Sequence, residues 1–292
     1  MPLDPHHTSF RAGSQKPPLG ASTWPSRLRW LLALPFVLLG ILLLLSDALY
    51  QCAASEAPEF PFPTCKKVWG HRGFAAAGGE NSLRSVQTAF NRGAKGVEID
   101  ILFDRELNDF VVSHDRPYTL FEGQPLKLES VLSIYAGDGF FWLDAKDLRK
   151  LSPMTAYKAT RRLSDLIQRY GLNERAFVES SNALYLSWLA HDGIYTSYAI
   201  SPNDRDYSAG LYKLNAAFMK LGYALVGAGA ISMNASRYTP VAAATFDKSA
   251  VLLSTVNDIG LLRHLSARPE VKAILSDDDH YTISACTSEE TQ

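Results

Sequence analysis

The chain has 292 residues, of which 47% are hydrophobic and 20% are charged, and its formal net charge is -1 at pH 7. That length allows one large domain and an extension. The near-neutral charge excludes a global attraction to nucleic acid, so we expect no nucleic-acid partner. The three cysteines, Cys52, Cys65 and Cys286, lack C-x-x-C spacing, which argues against a zinc or thioredoxin-like site.

The N-terminal part is predicted to be separate from the folded domain. Residues 1–29 are rich in Pro, Ser, Gly and His and are predicted to be disordered. An apolar run over residues 30–50 follows, and it reaches the ~20 residues needed to cross a bilayer only if its last five residues contribute. We predict a single-pass transmembrane anchor or uncleaved signal here.

The charges around this run predict its orientation. Arg27 and Arg29 precede its uncharged part, residues 30–45, and Asp47 and Glu56 follow that part, so the positive-inside rule places the remaining chain on the periplasmic or extracellular side. A cleaved signal peptide is the alternative, because the small residues of the stretch 52–55 could be processed. The domain would then be secreted.

The folded domain is predicted to span residues 66–284. Residues 51–65 contain three prolines and are predicted to form a Pro-rich linker, and residues 285–292 a disordered tail. Cys65 and Cys286 lie close to the two ends of the folded part. They could pair in an oxidising compartment, and free thiols remain the other possibility.

Short apolar runs alternate with amphipathic ones throughout the folded part, which predicts a parallel sheet covered by helices. The density of units predicts a (β/α)₈ TIM barrel. Nine strands are predicted for eight places, so we expect one of the later ones to be wrong. The predicted strands are 68–70, 97–102, 110–112, 140–143, 176–179, 195–200, 224–231, 251–255 and 271–275. The predicted helices are 83–92, 126–135, 155–170, 207–221 and 259–267.

Two carboxylates share one predicted strand. Glu98 and Asp100 are two residues apart, so both side chains project to the same face, opposite Val97, Ile99 and Ile101. Near the carboxyl end of a barrel strand they would point into the mouth. Because adjacent buried carboxylates repel each other, a divalent cation is their natural companion.

Histidines and cations follow the ends of neighbouring predicted strands. His71 and His114 follow the first and third strands, where one could act as general base and the other as general acid. Arg72 and Lys146 could bind phosphate oxygens. Asp144 would complete the protein ligands of the metal.

These residues lie in motifs that resemble the glycerophosphodiester phosphodiesterase family, a branch of the phospholipase-C-like TIM-barrel phosphodiesterases. The resemblance covers essentially the whole folded region. It implies that His71 and His114 form the acid/base pair and that Glu80 supports the site. It also implies that a glycerol hydroxyl attacks its own phosphate to form a cyclic intermediate. The motifs are His71-Arg72-Gly73, Glu80-Asn81-Ser82, Glu98-Ile99-Asp100, His114-Asp115, Leu128-Glu129-Ser130, Leu143-Asp144-Ala145-Lys146, Ser254-Thr255-Val256-Asn257-Asp258 and Ile274-Leu275-Ser276-Asp277-Asp278.

The resemblance further implies one divalent cation, Ca²⁺ or Mg²⁺, on Glu98, Asp100 and Asp144, with Arg72 and Lys146 on the substrate phosphate. The expected enzyme is a metal-dependent phosphodiester hydrolase of lipid metabolism. Its substrate would be a glycerophosphodiester or a lysophospholipid.

Three departures from the family pattern widen the expected substrate range. Asp144 stands where the family usually has glutamate, and the sphingomyelinase-D-like branch has aspartate there. Only thirty positions separate His114 from Asp144, too few for the usual helical insertion, so a more open mouth is expected. Glu179 and Ser254 lie in segments where the family has aromatic residues, so a cation–π partner for choline is missing.

Two alternatives remain open. A phospholipase-D-like lyase that forms cyclic phosphates from choline lysolipids would agree with Asp144 and the short insertion. A catalytically weak homologue could use the barrel for binding alone, but a binding protein needs no pair of histidines for proton transfer.

Overall fold

The computed structural model describes residues 26–75, 79–284 and 286, with side chains described from residue 33 onward. The expected disorder of residues 1–25 and most of the tail over residues 285–292 therefore lie outside the described residues. The helix begins at Ser26, inside the segment predicted to be disordered.

Eight parallel strands form a closed barrel, because β1 pairs with both β2 and β11. The predicted TIM barrel is confirmed. The barrel strands are β1 (Val68–Gly70), β2 (Gly96–Asp104), β6 (Phe140–Asp144), β7 (Ala176–Ser180), β8 (Tyr195–Ala199), β9 (Ala230–Asn234), β10 (Ala250–Ser254) and β11 (Val271–Ser276). The remaining strands are β3 (Asp109–Val112), β4 (Leu120–Phe121) and β5 (Gln124–Pro125).

The helices are α1 (Ser26–Glu56), α2 (Leu83–Asn91), α3 (Leu128–Tyr135), α4 (Pro153–Arg169), α5 (Ala183–His191), α6 (Ala209–Val226), α7 (Pro240–Thr245) and α8 (Ile259–Ser266). Side chains just before the first turn stabilise the N-terminus of several of these helices. In α4, the hydroxyl of Ser152 accepts the backbone N–H of Thr155, and Pro153 occupies the first turn, where a missing N–H costs nothing. The helix then buries Leu163, Leu166 and Ile167 against the sheet.

The surplus strand is β3, an early strand rather than a late one. It pairs antiparallel with β2 and lies outside the closed barrel. Parallel strands need a crossover of a dozen or more residues, and the few residues between β2 and β3 allow only a turn. The carboxylate of Asp104 accepts the backbone N–H groups of Glu106 and Leu107 in that turn.

The predicted strand at 224–231 begins too early. Helix α6 continues to Val226 and ends at Gly227, which has φ +63°, and β9 starts only at Ala230. The apolar residues 224–226 belong to the last turn of the helix. A short apolar run does not distinguish a buried helix end from a buried strand.

The end of the barrel opposite the mouth is closed by aromatic side chains. Phe62, from the segment predicted to be a linker, is buried among Trp69, Phe177 and Tyr195. Trp69 approaches Gly96 so closely that a Cβ there would lie 2.4 Å from the indole ring. The segment 51–65 differs from the prediction, because its first six residues are helical and Phe62 belongs to the core.

The last turns of α1 pack against the barrel. The hydroxyl of Tyr50 lies 2.9 Å from the hydroxyl of Ser249, and its ring contacts Tyr223 and Phe246. One helical stretch, Ala33–Glu56 with mean hydropathy 2.1, is long and apolar enough to cross a membrane. The compact barrel unit begins at Leu42, so the predicted anchor and the barrel overlap in sequence.

A disulfide joins Cys65 to Cys286, with 4.9 Å between the Cα atoms. The sequence leaves this pairing open, and the structure contains it. The bond connects the segment before β1 to the segment after β11.

Candidate active site

Three carboxylates meet at the mouth of the barrel. Glu98 and Asp100 project inward from β2, and Asp144 lies beside Asp100 at the end of β6. One oxygen from each lies within 4.8 Å of the others. The shorter Asp144 therefore still reaches the cluster that the sequence predicted.

Burial and crowding raise the pKa values of two of these carboxylates, Glu98 and Asp144. Burial, together with the charges of Asp100 and Asp144, raises the pKa of Glu98 well above its usual range. Burial raises the pKa of Asp144 to about 6, although the nearby Lys146 ammonium opposes the shift. Concentrated negative charge of this kind is relieved either by protons or by a cation.

Two cations already contact the carboxylates. The Lys146 ammonium lies 2.8 Å from Asp100 and 3.3 Å from Asp144. The Arg72 guanidinium lies 3.1 Å from Asp100 and 2.8 Å from Glu80. Glu80 therefore contacts Arg72 rather than the carboxylate cluster.

The turn after β1 brings Arg72 to the cluster. Its backbone has φ +53°, and its N–H donates to Glu98 over 2.8 Å. Gly73 follows with φ +79°, where a Cβ would lie 2.5 Å from the hydroxyl oxygen of Ser85. Any other residue at position 73 would collide with the start of α2.

His71 is held by a carboxylate that the sequence analysis had given no role. Its Nδ1 lies 2.7 Å from Asp277, and its Nε2 lies 3.9 Å from Glu98. The Asn257 amide donates to the other oxygen of Asp277 over 2.8 Å. In the neutral imidazole the proton belongs on Nδ1, facing Asp277, so Nε2 is free to accept a proton.

The environment keeps His71 available as a base. Burial lowers its pKa, although the hydrogen bond and charge of Asp277 oppose this. The pKa of Asp277 is low despite its partial burial, because Asn257 and His71 stabilise the carboxylate. Asp277 and Asn257 lie in the motifs carrying the family resemblance, which was the sequence signal for them.

Asn81 is another residue to which the sequence assigned no role. Its amide donates to Asp100 over 2.8 Å, and its carbonyl oxygen accepts the Asp100 backbone N–H over 3.0 Å. This two-point contact sets the direction of the Asp100 carboxylate. The family resemblance had instead assigned a supporting position to the neighbouring Glu80.

His114 lies at the mouth, after β3. Its Nδ1 is 2.5 Å from the exposed carboxylate of Asp115, and it borders the same groove as Asp144 and Lys146. That groove has a volume of about 870 Å³. Four basic residues complete its edge: Arg105, Arg116, Arg149 and Lys150.

Glu179 is a further acidic residue in the groove. Glu179 on β7 is the register partner of Asp144 on the neighbouring strand β6. Its Oε2 has no hydrogen-bond partner among the described residues. Burial, reinforced by the charge of Asp144, raises its pKa to about 8.

The closed barrel, with histidines, cations and clustered carboxylates at the carboxyl ends of its strands, defines a TIM-barrel enzyme site suited to a phosphate ester. Residues 71–165 match the family described as the glycerophosphoryl diester phosphodiesterase family. The matched segment includes the candidate site residues from His71 to Lys146, so the family model and the site geometry indicate the same phosphodiesterase chemistry. No curated protein matches the chain.

Solved structures share the fold. A Silicibacter pomeroyi DSS-3 protein, provisionally assigned as a glycerophosphoryl diester phosphodiesterase, has a TM-score of 0.60 at 17% identity, covering 79% of this chain and 95% of that one. An Oleispira antarctica phosphodiesterase in complex with the product sn-glycerol-3-phosphate has a TM-score of 0.52 at 19% identity. The match covers 77% of this chain and 95% of that one. A calcium-dependent phosphoinositol-specific phospholipase C from Pseudomonas sp. has a TM-score of 0.51 at 12% identity. The match covers 78% of this chain and 94% of that one.

Proposed function

We propose that the protein is a metal-dependent hydrolase of glycerophosphodiesters or lysophospholipids, with His71 and His114 as its acid/base pair. The observation that carries this proposal is the position of His71. Its Nδ1 is held by Asp277, and its Nε2 faces the cluster of Glu98, Asp100 and Asp144. Proton transfer and charge neutralisation can thus act on the same phosphodiester.

The donor set suits Ca²⁺ or Mg²⁺. Three carboxylate oxygens within 4.8 Å form a hard, anionic set, and burial beside other carboxylates raises the pKa values of Glu98 and Asp144, so a bound cation would make their ionised forms less costly. When bound, the cation supplies charge stabilisation at the phosphoryl oxygens. One of the structurally similar proteins, the phospholipase C from Pseudomonas sp., is calcium-dependent, which supports Ca²⁺ as a candidate.

The chain's own residues supply the remaining chemistry. His71 accepts the proton of the attacking hydroxyl at Nε2, and His114 donates a proton to the leaving oxygen. Arg72 and Lys146 bind the phosphate oxygens. Both are paired with Asp100 in the structure, so substrate binding exchanges part of these contacts for contacts to phosphate.

We further propose that α1 remains attached as a membrane anchor. Cleavage near residues 52–55 would remove Tyr50, which is fully buried and contacts Ser249, Tyr223 and Phe246. The Cys65–Cys286 disulfide agrees with an oxidising compartment outside the cytoplasm. The mass of the mature N-terminus checks this, since an N-terminus beyond residue 50 contradicts the anchor.

Product analysis tests the reaction. The full chain is assayed with glycerophosphocholine and with lysophosphatidylcholine, with Ca²⁺ and Mg²⁺ in parallel. Free glycerol 3-phosphate or lysophosphatidic acid supports the hydrolase. A cyclic phosphate as final product would instead identify the lyase, which Asp144 and the absence of a helical insertion favour. No turnover with either cation would indicate a binding protein.

Substitution of the two histidines tests their roles. His71→Ala and His114→Ala should each lower kcat by ~10²–10⁴-fold, the usual value of a positioned acid or base. His264→Ala, at an exposed position on α8, is the matched control and should leave kcat unchanged. A rate within a few-fold of the parent for either mouth variant would refute the acid/base assignment.

A further inference from the structure

Each helix that follows one of the barrel strands β6 to β10 has an exposed apolar side chain in its first turn. We call these residues the mouth rim, and each is between 44% and 69% exposed. They lie within the first three positions of α4, α5, α6, α7 and α8, and none of these first turns contains an acidic residue. Helix N-termini ordinarily attract Asp and Glu, so this pattern departs from what the helices themselves favour. The mouth rim comprises Met154, Leu184, Leu211, Val241, Ile259 and Leu261.

The topology gathers these side chains at one end of the molecule. Each helix starts after the carboxyl end of its strand, which is the end that carries the active site. Outside α1 and the mouth rim, Ile134, Phe218 and Leu225 are exposed in the middle or the last turns of their helices, away from the mouth. The other described large apolar residues that are exposed lie in the turn and loop after β2, early in α4 and just before α6: Leu107, Leu120, Tyr157 and Tyr207. An apolar surface concentrated around an active-site mouth is characteristic of a binding surface.

The chain also enters the barrel unit at this end. Asp47 pairs with Lys220, and Tyr50 packs on Tyr223, so the last turns of α1 run parallel to α6. Towards its N-terminal side, α1 reaches Leu43 and Leu44, which lie beside Tyr212 and Lys213 in the first turns of α6. Leu42, where the barrel unit begins, is therefore on the mouth side.

We infer that the mouth of the barrel faces a lipid bilayer and that the mouth rim inserts into its interface. The inference rests on the proposed membrane anchor. The apolar rim and the entry point of the chain are separate observations, and both indicate the same end. Exposed charges of both signs lie at the mouth, for example Arg149 and Lys150 with Asp115 and Asp258, so we attribute the attraction to the apolar side chains.

This orientation defines the route of the substrate. A phosphodiester embedded in the bilayer by its acyl chain would meet the groove directly, without leaving the membrane. A water-soluble diester would have to enter the same groove from the side. The inference therefore deepens the proposed function by favouring a membrane-embedded lysophospholipid.

Fluorescence quenching tests the orientation. The full chain carries Cys52→Ser, because Cys52 is the free cysteine among the described residues, and is reconstituted into phosphatidylcholine vesicles. A polarity-sensitive fluorophore is attached at Leu184→Cys or, as matched control, at Leu225→Cys. Interfacial side chains lie ~5–10 Å deep, so nitroxide lipids should quench position 184 at least about twofold more than position 225. Equal quenching, or stronger quenching at position 225, would overturn the inference.

A kinetic comparison tests the expected preference for a membrane-embedded substrate. The ratio of turnover of lysophosphatidylcholine in vesicles to turnover of soluble glycerophosphocholine should fall about tenfold in Leu184→Asp, because a carboxylate opposes interfacial burial. Leu225→Asp should keep the parent ratio. A parental ratio in both variants contradicts the inference. If the parent turns over neither substrate, the proposed function fails, while the fluorophore experiment still decides the orientation.

Discussion

At the residue scale, the site depends on carboxylates in two different roles. Asp277 is anchored by Asn257 and orients His71, whereas Glu98, Asp100 and Asp144 crowd together in a buried cluster in which the pKa values of Glu98 and Asp144 are raised. The first arrangement stabilises a charge, and the second makes charge costly without a cation. The two arrangements predict different responses to substitution and to pH.

Asp277→Asn should lower kcat/KM by at least ~10²-fold, because the amide no longer fixes the Nδ1 proton of His71. The charge of Asp277 raises the pKa of His71, so its loss should also move the acid limb of the pH–rate profile to lower pH. A kcat/KM profile measured from pH 5 to 9 checks both effects. A reduced rate with an unmoved acid limb would indicate a purely structural role for Asp277.

Glu98→Gln should weaken binding of the divalent cation, because it removes one anionic oxygen of the cluster. Calorimetric titration with Ca²⁺ checks this, with Glu106→Gln, an exposed residue in the turn between β2 and β3, as the control. An unchanged titration would remove Glu98 from the proposed ligands.

Glu179 should make the metal-free protein less stable as the pH rises. Its folded pKa of about 8 lies above its ordinary value of 4.5. The folded state therefore holds the proton more tightly, and this contribution to stability is present below pH 4.5 and is lost as the pH rises through 8. Glu179→Gln should consequently raise Tm more at pH 8.5 than at pH 5. Thermal unfolding in EDTA measures this, and a pH-independent difference would contradict it.

At the scale of elements, α1 has two parts with different surroundings. Its last turns are part of the barrel core, and the preceding turns are apolar and exposed. Sequence hydropathy predicts one continuous membrane segment, because Tyr50 and its neighbours score as apolar in either environment. Only the packing of Tyr50 against Tyr223 and Phe246 distinguishes the two parts.

Tyr50→Ala should destabilise the barrel by about 3–5 kcal/mol, the usual cost of removing a buried aromatic side chain. Tyr50→Phe, the matched variant, loses only the hydroxyl contact to Ser249 and should cost about 1 kcal/mol. Chemical unfolding in detergent measures the difference. Equal effects of the two variants would show that the ring contributes little.

At the scale of the whole molecule, the disulfide connects the start and the end of the barrel, 221 residues apart. Cys65→Ser combined with Cys286→Ser should lower the free energy of unfolding by about 2–4 kcal/mol, because the unfolded chain is no longer constrained. Cys52→Ser is the control. Unfolding by denaturant with and without reductant checks the expectation, and reductant should not affect the double variant.

The barrel and most of its site could be predicted from short-range patterns. Glu98 and Asp100 alternate with buried residues, and His71 directly follows a strand, so their position at the mouth follows from strand geometry. The antiparallel β3 was misjudged because its apolar residues resemble those of a barrel strand. Asp277, Asn257 and Asn81 received no roles because their partners are distant in sequence.

The sequence by itself determined the class of the protein, because alternation and residue spacing are local properties that specify strands, helices and the inward direction of a side chain. It also determined the apolar N-terminal segment. Only the tertiary structure decided which carboxylate holds His71, which cysteines pair, where α1 joins the core and at which end the exposed apolar residues gather. Each of these depends on contacts between residues far apart in the chain, and no local pattern encodes such contacts.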